Sequence, residues 1–189
     1  MDAIKETTVG KYKVRVVYDT DPPSPREWDN IGTFFSNHRR YDPDNRSVDE
    51  VANWNGHSFN IKRGYIGFPV YMLDHSGVWI SLTDFNDPWD SGIFAVYAIS
   101  RKDALKFAKE CNIIALDRLT PNVTKRILET MRDEVLSFKR YVEGEVYGYQ
   151  IVDENDNVVD SCWGFYDTPD SVLKEAEGIA GAMENRNHD

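Results

Sequence analysis

Cysteine is nearly absent from this chain. Two thiols, Cys111 and Cys162, are too few for a disulfide framework and lack the spacing of a zinc site. A reduced, cytoplasmic setting is the expectation. Long apolar runs are missing too. No segment approaches the roughly 18 apolar residues of a spanning helix, and the first thirty residues hold no apolar stretch of the export type. Neither a membrane nor secretion is expected. Basic charge is also in short supply. The 22 Lys and Arg face 32 Asp and Glu, for a net charge of -10. A sequence-independent nucleic-acid binder needs basic phosphate contacts, so direct nucleic-acid binding is not expected. No repeat, low-complexity tract or linker is visible, and no motif calls for a cofactor or a metal.

What the chain does have is enough apolar material to fold. Hydrophobic residues make up 41% and aromatics 13%, which excludes a disordered protein. At 189 residues the expectation is one domain spanning 1–189. The acidity is uneven: residues 151–189 hold ten Asp and Glu against two Lys and Arg, a balance of -8. Such an end suits a basic partner, or is simply a solvated face.

The periodicities alternate between strand and helix. In "KYKVRVVYDT", Tyr12, Val14, Val16 and Tyr18 fall on one face of a strand, which stops at Pro22, Pro23 and Pro25. Residues 26–38 fit either a short helix carrying Trp28, Ile31 and Phe35 inward or an irregular loop. Ser47 and Glu50 form a capping box for a short helix through Trp54. "YIGFPVYML" and "GVWISLT" flank a turn at 74–77, and "GIFAVYAIS" is a third strand. Ser100 and Asp103 open a helix. Thr120 and Pro121 open a longer one, with Val123, Ile127, Met131, Val135, Phe138 and Val142 at spacings of three or four. A second hairpin and a helix capped at Thr168 close the chain. The fold class is α+β: an antiparallel sheet of about five or six strands with helices packed on one face.

Three polar segments are candidates for binding. The first runs from Asp19 to Tyr41, where Arg26, Glu27, Trp28, Asp29, His38, Arg39 and Arg40 suit either a recognition pocket or an internal network of Arg and carboxylate pairs. The second is the turn with Asp74, His75 and Ser76. It contains all three residue types of a hydrolase triad, yet adjacency in sequence does not make one. The third is "TDFNDPWDSG", where Asp84, Asp87 and Asp90 at i, i+3 and i+6 suit either a hard divalent cation or, as the Asp, Asn and Pro content favours, a structural loop joining two strands. In a simple meander the turn and this loop fall at opposite ends of the sheet, which weakens a joint site unless the connection folds back. Cys162 has no neighbour that would lower its pKa and reads as a buried strand residue.

Taken together, "SPREWDNIGTFFSNHRRY", "PVYMLDHSGVWIS", "PWDSGIFAVYAIS" and "VEGEVYGYQIVDENDNVVDSCWGFY" resemble, in the same order, a family of small proteins encoded by bacteriophages, plasmids and other mobile elements. The likeness spans most of the chain. It departs from the family pattern at Asp42, Pro43 and Asp44, where Leu-Gly-Asp is usual, and at "IFAVYAI", where Gln-Val-Gly-Phe-Ile-Tyr is usual. The resemblance implies a mobile-element protein at work in a bacterial cytoplasm and brings no catalytic residues with it.

Three functions fit these features. One is a non-enzymatic protein that binds a host or defence protein through a basic surface, its acidic end mimicking nucleic acid. The second is a small hydrolase or metal-dependent nucleotide-acting enzyme, with His75 or His38 as base and Asp74 or Asp90 as orienter. The third is a self-associating factor with Trp54, Trp79 or Trp89 on an exposed face.

Overall fold

A computed structural model describes residues 2–54, 59–113 and 118–186, with the Trp54 side chain outside the described part. In chain order the elements are β1 Lys5–Val9, β2 Tyr12–Tyr18, β3 Thr33–Ser36, β4 Ala52–Trp54, β5 Phe59–Ile61, β6 Tyr65–Asp74, β7 Val78–Ser81, β8 Ser91–Ser100, α1 Arg101–Glu110, α2 Pro121–Val142, β9 Tyr147–Val152, β10 Val158–Phe165 and α3 Pro169–Arg186. The fold is α+β and every described strand pair is antiparallel. Instead of one sheet of five or six strands there are two of four, ordered β1-β2-β9-β10 and β3-β8-β6-β7, and a β4-β5 ribbon. The strands of each larger sheet belong to one of two compact units, residues 1–23 with 144–189 and residues 24–143. Hydrophobic patterning marks strands but does not name their partners, which is why two sheets read as one.

In the first unit, the alternation along β2 does what its period dictates. Tyr12, Val14 and Val16 turn inward, join Tyr149 and Ile151 of β9, and pack against Val172, Ala176 and Ala180 of α3. Tyr18 shares that parity yet is 50% exposed. β1 was hidden in the sequence because "KETTV" offers little apolar material. Its register against β2, from Lys5↔Val16 to Val9↔Tyr12, is set by the two-residue turn at Gly10, whose φ of +58 suits glycine. In β10 the Trp163 ring lies 2.3 Å from where a Cβ on Gly148 would sit, so only glycine permits that approach. Cys162 is exposed on this edge strand, not buried as expected, and Cys111 is exposed as well. Most of β10, Val158 and Val159 included, is exposed, and Cys162 shares that exposure.

The second unit is built around β8. Phe94, Tyr97 and Ile99 enter a cluster with Phe34, Val70, Met72 and Ile80. The same cluster takes Ala104 and Ala108 of α1 and the stripe Val123, Ile127, Met131, Val135 and Phe138 of α2. Val96 and Ala98, at the intervening positions, join Phe35, Val48, Val51 and Ala52 in another cluster. Alternate residues of a strand point to opposite faces, so β8 buries both. Helix starts follow the expected caps: Ser100 accepts from the Asp103 N–H, and Thr120 from the Val123 N–H.

Two expectations in this unit are corrected. The capping box at Ser47 is present, but it supports only one 3-10 turn, Val48–Glu50, because residues 52–54 pair with β5 as a strand. Tertiary pairing overrides local helix preference there. The ambiguous stretch 26–38 resolves into a 3-10 turn at Pro25–Glu27 and the strand β3, which places Phe34 and Phe35 in opposite clusters.

The exposed edge of β7 is closed by a side chain. Glu143, fully enclosed and ion-paired with Lys139, accepts the Ile80 N–H at 2.9 Å. That removes an unpaired donor from the sheet edge.

Candidate functional site

Arg26 is the most heavily bonded side chain in the opening polar segment. Its guanidinium binds Asp44 in a bidentate fork, Nε to Oδ1 at 2.9 Å and Nη2 to Oδ2 at 2.7 Å. Nη1 donates to the Tyr97 hydroxyl at 2.9 Å and Nη2 to the Gly32 carbonyl at 3.0 Å. Tyr97 in turn donates to Glu134 Oε2 at 2.7 Å, and the two Glu134 oxygens accept the Ile31 and Gly32 N–H groups. Asp44 also accepts the Phe34 N–H at 2.7 Å. Burial works against the Arg26 charge, but the Asp44 hydrogen bond and its charged surroundings outweigh it and raise the pKa above the ordinary value. Burial, and then the Glu134 charge, push the Tyr97 phenol far above its usual range. Both groups keep their protons throughout ordinary conditions. Of the two roles open to this segment, Arg26 takes the internal one. Glu27, Trp28 and Asp29 beside it are exposed.

Sequence reasoning did not reach Asp44, Tyr97 or Glu134 as members of this network. Glu134 left a faint signal: it lies three residues after Met131 and four before Phe138, on the border of the α2 apolar stripe, where a carboxylate needs a partner. Tyr97 left none, since its position reads as an ordinary strand aromatic.

A second group gathers at the tip of the β6-β7 hairpin. A simple meander would place the turn and the 84–90 loop apart; in the structure the connection folds back instead. β8 pairs with β6 on the flank opposite β7, with Leu73↔Ser91 in register, so the chain after β7 must return to the tip before β8 begins. The Asp74 N–H therefore donates to the Asp90 carbonyl at 2.9 Å, and His75 Nδ1 lies 2.7 Å from Asp90 Oδ2. That contact is an ion pair only while the imidazole is protonated. Arg40 pairs with Asp74. Asp87 does not face its neighbours as a ligand. Its Oδ1 accepts the Trp89 and Asp90 N–H groups, both at 2.9 Å, and these bonds, with the nearby His75, lower its pKa below the ordinary 3.8.

His38 joins this group from the other side. Its ring lies 5.3 Å from that of Tyr41 and 6.1 Å from that of Phe94. With Met72, Asp74, Trp89, Asp90 and the start of β8, it lines a cleft of about 230 Å³. Trp89 stands 88% exposed at its border. Arg39, exposed, has no ion-pair partner among the described residues. Of the sequence candidates, the structure thus brings His38, Arg39, Asp74, His75, Asp87 and Asp90 to one end of the second unit. It leaves Glu27, Trp28 and Asp29 outside that group.

Chemically, the tip offers an imidazole oriented by a carboxylate, two arginines and an exposed indole. Among the described residues, no group of three or more His, Cys, Asp or Glu side chains is arranged to hold a metal ion. No described helix is long and apolar enough to cross a membrane. The chain matches no family model, no curated protein and no solved structure.

Two outcomes follow from this geometry. Arg26→Ala leaves Asp44 enclosed without its cation, and the second unit should lose about 3–5 kcal/mol in denaturant unfolding. Arg26→Lys should recover only part of that, since a single ammonium cannot bond Asp44, Tyr97 and Gly32 together; full recovery would refute the fork as the cause. For Asp87, a folded pKa below the unfolded one means its contribution is complete above the unfolded pKa and is lost as pH falls through the folded value. A movement of the Trp89 indole resonance should therefore set in as pH falls below about 4. In Asp87→Asn the acid-induced movement should disappear.

Proposed function

We propose that this chain is a non-enzymatic, phage-type protein of the bacterial cytoplasm that binds a host or defence protein and inhibits or redirects it. The observation that carries this reading is the division of charge. Residues 1–23 with 144–189 hold six Lys and Arg against fifteen Asp and Glu, a balance of -9, whereas residues 24–143 hold sixteen against seventeen, a balance of -1. Nearly the whole net charge rides on one folded unit. Glu154, Glu175 and Glu177 there have no cation partner among the described residues. A folded unit that carries uncompensated carboxylates supports docking on a basic groove and gives fast, salt-sensitive association. The likeness to mobile-element proteins supplies the biological setting of the proposal.

A pull-down from bacterial lysate, washed at low and high salt, tests this. A stoichiometric partner should be captured at low salt, released by high salt, and lost in the Glu154→Lys, Glu175→Lys, Glu177→Lys triple variant. A partner held equally by the triple variant sinks the acidic-docking reading, as does capture of nothing at low salt.

One observation favours a second reading, a small hydrolase or nucleotide-acting enzyme: His75 and Asp90 form an oriented imidazole next to a cleft that His38 also lines. This reading expects hydrolysis of phosphoester or carboxylester substrates that His75→Ala abolishes. Turnover unchanged in that variant, or none with the wild type, argues against it.

A further inference from the structure

We infer that residues 37–40 and the adjoining Trp89 cleft form a binding site for a nucleoside phosphate, the phosphate on the arginine side and the base against the indole. The four consecutive residues Asn37, His38, Arg39 and Arg40 line a depression of about 620 Å³, and no carboxylate lines it. That volume falls within the roughly 300–1,000 Å³ of small-ligand clefts.

Hydrogen-bond accounting decides which ends of these side chains remain for a ligand. Asn37 Oδ1 already accepts from the Ser47 hydroxyl at 3.0 Å and from the Val48 N–H at 3.3 Å. Its remaining group is the amide NH2, a donor. His38 Nδ1 faces the Arg40 N–H at 3.4 Å, so the neutral ring carries its proton on Nε2 and donates there. Arg39 is exposed and unpaired among the described residues. Arg40 spends Nη2 on Asp74 and retains its other donors. The depression thus presents donors, the unpaired charge of Arg39 and the free donors of an Arg40 whose charge Asp74 balances, the chemistry that phosphate oxygens accept.

The segment is also held in place before any ligand arrives. Ser36, 3% exposed, donates its hydroxyl to the Phe94 carbonyl at 2.8 Å and accepts the His38 N–H at 3.0 Å. His38 is shared between the depression and the 230 Å³ cleft, so the two spaces adjoin. In that second space Trp89 offers an exposed aromatic surface, and Asp74 and Asp90 offer acceptors for amino or hydroxyl groups. A ring with a phosphate attached uses all of these at once. A free nucleotide is favoured over a strand because the donors at 37–40 suffice for one phosphate group and a strand needs a series of basic phosphate contacts.

The test is calorimetric titration of the purified protein with adenosine and guanosine monophosphate, inorganic phosphate and a single-stranded tetranucleotide. A monophosphate nucleotide should bind saturably and inorganic phosphate about tenfold more weakly. Arg39→Ala should weaken both by about tenfold. Trp89→Ala should weaken the nucleotide by about tenfold and leave phosphate unchanged. Both side chains are exposed, and circular dichroism checks that the variants fold. No saturable binding of either nucleotide at millimolar concentration overturns the assignment, as does wild-type affinity in both variants. A tetranucleotide that binds more tightly than the monophosphates overturns the single-nucleotide form. Because no partner protein is present, these outcomes are independent of the capture experiment.

Discussion

A buried guanidinium needs partners for its donors, and Arg26 organises the second unit through the four hydrogen bonds it makes. Its side chain is only 12% exposed, and Asp44 only 14%. Enclosing both charges is favourable only if the remaining lone pairs and protons are bonded. Tyr97, Gly32 and Glu134 meet that demand, and each in turn fixes something else. Gly32 has no room for a side chain, since a Cβ there would sit 2.2 Å from the Tyr97 ring. Glu134 ties the backbone of 31–32 to α2, and Asp44 ties the start of β3 to the end of the loop that follows it. The proline-delimited segment is thereby converted from a flexible connection into a fixed wall. The residues between its anchors, 37–41, inherit that rigidity.

The same unit shows how strand order makes a site. β6 is flanked by β7 and β8, both antiparallel to it, so the 82–90 connection has to travel the length of the hairpin and arrive at its tip. Nothing in the local chemistry of Asp87 or Asp90 demands that His75 be near. The pairing of β8 with β6 does. Asp87 then caps the two N–H groups that shape the end of the loop, which leaves Asp90 free to orient His75 and Trp89 free to stand in solvent.

Local features were legible where a single segment determines the outcome. The caps at Ser47, Ser100 and Thr120, the inward faces of β2 and α2, and the turn at 74–77 all follow from spacing and side-chain chemistry. What could not be read was pairing. β1 has the composition of a solvated strand and exists through its register with β2. The two sheets and the ribbon depend on partners distant in sequence, and period-2 patterning is silent about which strand lies alongside which. The site was legible to the same degree. His38, Arg39, Asp74, His75, Asp87 and Asp90 stood out as dense polar stretches, but their convergence depends on strand order. The identity of the Arg26 partners depends on residues as far away as Glu134, 108 positions on.

Charge and chemistry are distributed differently in this chain, and that difference bears on function. The arginines, imidazoles and exposed indole of the hairpin tip sit in a unit that is close to electrically neutral, where ion pairs such as Arg40–Asp74 balance locally. The unit formed by the two ends of the chain carries the excess negative charge and offers few reactive groups beyond an exposed thiol. A long-range field and a short-range polar cleft serve different purposes: the first sets which surfaces approach and how fast, the second which groups are held once there. Charge substitutions on the acidic unit therefore alter the first property through residues that do not line the cleft, all of whose lining residues belong to the other unit.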